Sequence, residues 1–211
     1  VIKYIRENWK RLSRNGKFHA MLATSSIPEA IQYYRLFKQN VPELKVTPLF
    51  DPNIDNNPGA IFKETGLTEI LSDYNDKYGV NYTIPSFSSY KKDVSLRLSH
   101  KSPYAGIENN REKQIDLLIV VDQMLTGFDS KWVNTLYLDK VLKYEGLIQA
   151  FSRTNRLFNP QEKPFGIIRY YRKPHTMKNN IEEAFKVYSG DRMYGVFASK
   201  LGENLKNMNR V

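Results

Sequence analysis

The spacing of apolar residues changes several times along this chain, and each change marks an element. FHAMLA at 18–23 is a compact apolar run that predicts a short buried strand. TSSIPEAIQYYRLFKQN follows with Ile27, Ala30, Ile31, Tyr34 and Phe37 at helical spacing. Ser26 with Glu29 three positions on makes a candidate capping box, and Pro28 suits a first helical turn, so the start of that helix is marked as well. LKVTPLF at 44–50 predicts the next strand. Strand, helix and strand in that order predict the parallel, right-handed crossover of an α/β sheet. DPNIDNNP at 51–58 is turn chemistry with no room for regular structure.

From about 55 to 112 the pattern turns polar and charged. AIFKETGLTEILSDYNDKYG predicts a helix broken once, at Gly66, and SSYKKDVSLRLSHK predicts another. The stretch reads as a helical insertion on the sheet that carries many exposed Lys and Arg residues. The α/β pattern then resumes with a strand, QIDLLIVV at 114–121, and a loop built on Thr, Gly and Asp, DQMLTGFDS. NTLYLDK at 134–140 and FGIIRYY at 165–171 predict two more strands, with a helix at 147–157 between them. Beyond Pro174, NIEEAFKVYSG and GVFASKLGENLKN predict two further helices. The expected organisation is an α/β domain over 1–174, with its helical insertion at about 55–112, and the start of a C-terminal helical extension over 175–211.

Composition narrows the partners. Lys and Arg outnumber Asp and Glu by 32 to 22, a formal charge of +10 spread along the chain, which points to a polyanion such as nucleic acid. Without cysteine there is no disulfide, thiol nucleophile or thiolate metal site, and a reducing, cytoplasmic setting fits. The longest apolar run, LLIVV at 117–121, is far too short to span a membrane. VIKYIRENWKRLSR at the start lacks the features of a signal peptide and reads as a helix cut from a longer chain.

The helix predicted at 147–157, LIQAFSRTNRL, raises a chemical question. Gln149, Ser152, Arg153 and Arg156 fall on one face, while Leu147, Ile148, Phe151 and Phe158 fall largely on the other. Two guanidiniums side by side repel unless an anion or carboxylate shares them, and Arg suits bidentate phosphate contacts. The plainer reading is a solvated face with surface ion pairs worth roughly 0 to 1 kcal/mol each. In an open parallel sheet ligands collect beyond the carboxyl ends of the strands, where both this stripe and the DQMLTGFDS loop are expected to converge.

IVVDQMLTGFDS followed by LDKVLKYEGLIQAFSRTNRLF resembles motifs V and VI of superfamily 2 helicases, in the form found in the motor (R) subunit of type I restriction enzymes. The string from Gln149 to Arg156 is similar to the helicase pattern Gln-x-x-Gly-Arg-x-x-Arg; Ser152 replaces the commonest Gly and both arginines keep their spacing. The match is specific over about 115–170, and MLATSSIPEA is similar to the looser motif IV region.

The resemblance implies a RecA-like second lobe, an open, mainly parallel sheet flanked by helices. It implies that Arg156 and Arg153 are arginine fingers for the γ-phosphate of ATP, with Gln149 orienting the site; such a finger can be worth ~10³–10⁵ in rate. Gly127 and Asp129 would lie at the inter-lobe cleft near the nucleotide. Thr126 and the Thr24-Ser25-Ser26 turn would face the DNA backbone. ATP and Mg²⁺ would be bound mainly by a first lobe. The implied partners are double-stranded DNA, the first lobe and nuclease domain of the same parent chain, and the modification and specificity subunits, with no membrane.

Each residue also has a plainer reading. The Thr24-Ser25-Ser26 turn is a helix cap, Asp129 turns the loop before Trp132, Gly127 supplies an unusual backbone conformation, and Phe128 and Trp132 are core. No Gly-x-x-x-x-Gly-Lys-Ser/Thr string occurs, nor a first-lobe Asp-Glu motif, so the chain alone is not expected to hydrolyse ATP. Glu43 and Lys45 have a nuclease-like spacing but lack a partner Asp and read as a turn into a strand. His19, His100 and His175 are dispersed, with no Asp or Glu at ligand spacing, so no metal site is expected. The alternative from another functional class is a non-catalytic DNA-binding or subunit-docking module on the same scaffold.

Overall fold

The computed structural model describes residues 1–51, 59–121, 124, 128–156 and 158–189. Five strands form one parallel sheet: β1 (His19–Thr24), β2 (Val46–Leu49), β3 (Leu117–Val120), β4 (Val133–Asp139) and β5 (Ile167–Tyr170), in the spatial order β2-β3-β1-β4-β5. β1 lies at the centre, with Leu22 level with Ile119 of β3 on one side and Tyr137 of β4 on the other. Every residue of β1 and β3 is buried. Sheets covered on both faces need apolar side chains in both directions, which is why these strands read as continuous apolar runs.

The helices are α1 (Ile2–Leu12), α2 (Ile27–Asn40), α3 (Ala60–Tyr78), α4 (Phe87–Ser99), α5 (Tyr144–Ser152) and α6 (Pro174–Ser189). α2 starts as its sequence signals. The Glu29 backbone N–H donates to the Ser26 hydroxyl at 3.3 Å, and the Glu29 carboxylate in return accepts from the Ser25 N–H at 3.0 Å, one residue earlier than in a standard box.

α3 runs unbroken through Gly66, against the expected break. A side chain at Gly66 would meet Ile31 of α2, whose Cδ1 lies 2.5 Å from the Cβ position, so the glycine serves close helix packing and not a turn. Leu67, Ile70 and Tyr74 of α3 and Tyr90, Val94 and Leu98 of α4 belong to the same buried cluster as the sheet. The Tyr90 hydroxyl donates to the Pro48 carbonyl of β2. Not all the cations of this stretch face water: Arg97 is buried, paired with Asp93 at 2.9 Å and packed over Tyr78 and Tyr104.

α5 is shorter than expected and ends at Ser152, so Arg153 is its C-cap and Arg156 lies beyond it. The last carbonyls are taken by side chains: Ser152 Oγ and Arg153 Nε both donate to Gln149 O, and Thr154 Oγ1 donates to Phe151 O. Local side-chain donors of this kind end a helix by satisfying carbonyls that the next turn would have used. α6 begins at Pro174, six residues before the predicted start at 180. The helix expected at 195–207 lies outside the described residues.

Candidate functional site

The cation pair of the α5 region sits against the end of the loop before β4. Arg153 turns inward: Nη1 donates to the Phe128 carbonyl, Nη2 to Ser152 Oγ at 2.8 Å and Nε to Gln149 O at 3.0 Å. Arg156 is the more exposed of the two, and its Nε lies 3.0 Å from Asp129 Oδ1. Burial, then the charge of Arg156, hold the Arg153 guanidinium below its usual pKa, while Asp129 works the other way. Among the described residues two cations therefore share one carboxylate, an arrangement that an added anion could neutralise further. Gln149 donates to the Glu145 carboxylate one turn back along α5. Gly127 and Thr126 lie outside the described residues.

This cluster does not sit beyond the carboxyl ends of the strands. The loop leaves β3 at Val121, whose carbonyl accepts from Lys140 just past β4, but it returns to the opposite end of the sheet. There Trp132 precedes β4 and packs with Phe18, which precedes β1, and Phe158 contacts both rings at 4.9 and 5.2 Å. Arg156 is two residues from Phe158, so the stripe is drawn down the flank of the sheet toward its amino end. The physical reason is the parallel β3 to β4 connection, which must recross the sheet before β4 can begin.

The carboxyl end carries a second polar group. Thr24 is fully buried, and its hydroxyl is spent on the Val120 and Ser26 carbonyls, each at 3.3 Å; it does not face outward. Ser26 is occupied as the cap of α2. Ser25 is exposed and accepts from Arg172 Nη1 at 2.9 Å. Arg172 also lies 3.3 Å from both the Glu29 and Asp139 carboxylates, and the Tyr33 hydroxyl donates to Asp139 at 2.7 Å. The arrangement ties β4, β5 and the start of α2 together directly beneath Ser25. Burial pulls the Arg172 pKa down, but the hydrogen bonds and charges of Asp139 and Glu29 together outweigh it and raise the pKa above its usual value.

The sequence matches the family described as type I restriction enzyme subunit R domain 3 over residues 16–173. The chain belongs to this family. It is 36% identical over 198 residues to the type I restriction enzyme SauCOLORF180P endonuclease subunit of Staphylococcus aureus (strain COL), covering 90% of this chain and 20% of that protein. It is 38% identical over 198 residues to the SsaAORF53P endonuclease subunit of Staphylococcus saprophyticus, with the same coverage. A type I restriction endonuclease subunit of Methanocaldococcus jannaschii is 26% identical over 168 residues, 80% of this chain and 13% of that protein. The chain thus spans about a fifth of the length of the first two relatives. Among solved structures it aligns with the C-terminal part of the Fun30 ATPase domain at a TM-score of 0.44 and 11% identity, covering 99% of this chain and 54% of that one.

In this R-subunit domain, then, the residues singled out by sequence fall into two places. Arg153, Arg156, Gln149 and Asp129 form one group, and Thr24, Ser25 and Ser26 belong to the other. Sequence reasoning missed Arg172, Asp139 and Tyr33; the first two are marked only by lying just past and at a strand end, and Tyr33 by nothing beyond its place in α2. It also read the histidines as dispersed, whereas two of the three meet. His19 Nδ1 donates to the Ile115 carbonyl at 2.6 Å, so its Nε2 accepts from His100 Nε2 at 2.8 Å. His100 Nδ1 lies 2.8 Å from Glu108, and its ring stacks on Trp132. No signal in the sequence links positions 81 residues apart.

Proposed function

We propose that this domain is the second motor lobe of an ATP-dependent translocase on double-stranded DNA, part of a type I restriction endonuclease. The supporting observation is the Arg153, Arg156 and Asp129 cluster, an incompletely neutralised pair of guanidiniums in a chain of the R-subunit family. Arg156, exposed and held by one surface ion pair, is the finger offered to the γ-phosphate of ATP bound on the first lobe. Exchanging a carboxylate for a phosphoryl oxygen costs little here, because an exposed pair is worth only about 0–1 kcal/mol. Its charge then opposes the negative charge that develops on the transferred group.

Arg153, anchored through three donors, holds the end of α5 and adds to the local potential. Gln149 orients the same turn, while Asp129 and Gly127 border the nucleotide. Mg²⁺ and most contacts to ATP belong to the first lobe. Ser25, Ser26 and Thr126 are the proposed contacts to the DNA backbone, with Thr24 shaping the turn from inside. Modification and specificity subunits complete the assembly, and target choice resides with the latter.

The test is DNA-stimulated ATP hydrolysis by the full-length protein, as wild type and as Arg156→Ala, with nucleotide affinity measured alongside. Turnover should fall at least several hundred-fold, toward the roughly 10³–10⁵ range of such groups, with binding largely kept. Near-normal turnover would remove Arg156 from the reaction.

A further inference from the structure

Helix α1 has two unlike sides. Ile5, Trp9 and Leu12 are buried against the body of the domain. Lys3, Arg6, Lys10 and Arg11 are exposed, and Arg14 is exposed in the turn that follows. At 100° per residue, Lys3, Arg6 and Lys10 fall within a narrow arc on the side away from Ile5 and Leu12, with Arg11 beyond its margin, and Arg14 follows in the turn past the helix end. Glu7 is the one acidic residue of the helix. Among the described residues none of the five cations has a carboxylate within ion-pair distance. Arg169, exposed on β5, extends the positive surface, its Nε donating to the Tyr4 hydroxyl at 2.9 Å.

Stability alone does not account for this pattern. Arg6 and Lys10 are like charges one turn apart, a spacing that weakens a helix. The turn after α1 is more telling. Its Asn15 N–H donates to Lys10 O at 2.7 Å and its Arg14 N–H to Arg11 O at 3.4 Å, the paired bonds of a Schellman end. Arg14 therefore occupies the left-handed position, with φ +52°, where glycine is the relaxed choice. A cation is kept where the backbone favours a residue with no side chain.

We propose that the outer face of α1, with Arg14 and Arg169, binds the phosphate backbone of double-stranded DNA. Arg6 and Lys10 stand one turn apart, about 6 Å along the helix axis, and Arg14 follows in the turn past the helix end. Three cations in succession, unpaired among the described residues, are thus offered to a polyanion carrying about one charge per 1.7 Å. A bilayer is the wrong occupant because the apolar side of the helix is already buried in the domain. An acidic protein segment would lack the duplex's charge density of about one per 1.7 Å. The inference rests on the motor reading only for the nature of the polyanion, and it assigns DNA contact to a surface outside the helicase-like motifs.

The experiment measures binding of a 20-base-pair duplex, without nucleotide, over a series of salt concentrations. The wild-type chain is compared with the triple variant Arg6→Glu, Lys10→Glu, Arg14→Glu and with a control triple of equal charge change, Lys91→Glu, Lys92→Glu, Lys101→Glu, on the exposed surface of α4 and beyond. The α1 variant should lose at least tenfold in affinity and flatten the log–log salt dependence by about 2 to 3, while the control loses less than threefold. Equal losses in the two triples, or an unchanged salt slope for the α1 triple, would overturn the proposal. So would competition by polyglutamate as effective per charge as that by duplex.

Arg14→Gly gives a second readout that misfolding cannot imitate. It should raise Tm by about 2 °C while weakening duplex binding, and a variant with higher Tm and undiminished binding would count against the inference. Because no nucleotide is present, a failure here leaves the Arg156→Ala turnover result standing, and the reverse holds equally.

Discussion

Gly66 shows how one residue type can carry opposite meanings. Replacing it by Ala should gain roughly 1 kcal/mol of helix propensity. The new methyl would lie 2.5 Å from Cδ1, 2.9 Å from Cγ1 and 3.0 Å from Cγ2 of the buried Ile31, and overpacking of that kind typically costs about 1–3 kcal/mol. Three close atoms on one β-branched side chain leave little freedom to yield, so Gly66→Ala should destabilise by about 1 kcal/mol net, read from urea midpoints. A more stable variant would show that α2 and α3 can part at low cost. In the sequence, a glycine amid a helical pattern signals a break or a close approach with the same letter, and only the facing Ile31 decides.

His19 gives a prediction with a definite sign. Burial, followed by the charges of His100 and Arg111, pushes its pKa down to about 3, against the opposing pull of the Ile115 carbonyl. The unfolded chain takes up a proton near pH 6.5, whereas the folded chain does not until far lower pH. The stabilisation is therefore complete above about pH 7 and is lost as pH falls through 6.5 toward 3. Between pH 7.5 and 5.5 the loss should be about 1 kcal/mol in urea titrations, and His19→Gln should flatten that slope. An identical slope in the variant would assign the effect to other groups.

Among the elements, α2 and α5 differ in how well their ends were marked. The start of α2 was readable because Ser26, Pro28 and Glu29 are local signals with local partners. Ser26→Ala should cost about 1 kcal/mol for the lost cap. Ser26→Asp separates cap from contact, since an aspartate caps well yet repels phosphate. If Ser26 faces DNA, that variant keeps its stability and loses duplex affinity; unchanged affinity would leave Ser26 a cap alone. The end of α5 was not readable, because the apolar spacing runs on past Ser152. What stops the helix is competition for its last carbonyls by Ser152, Arg153 and Thr154, a matter of side-chain geometry that periodicity does not encode.

For the whole molecule, all five strands were legible as apolar runs, and the parallel sense of β1 and β2 followed from the helix between them and the handedness of crossovers. That of the rest of the sheet was implied by the helicase resemblance, since a loop and not a helix was read between β3 and β4. The lateral order of the strands was not legible, since apolar runs say that a strand is covered and not what lies beside it. The same limit hid Arg172, whose partner Glu29 is 143 residues away, and the sharing of one core by the sheet, α3 and α4. Among the described residues no helix is long and apolar enough to cross a membrane.

The central place of β1 governs how the chain comes into being. Its two neighbours, β3 and β4, begin at Leu117 and Val133, so β1 lacks both of its native pairing partners until roughly a hundred more residues have left the ribosome. At about 5–20 residues per second that interval lasts on the order of 5–20 s. Throughout it the six-residue run His19–Thr24, made of residues that end wholly buried, stands open on both edges. Synthesis of this domain is therefore the period in which it is most exposed to aggregation.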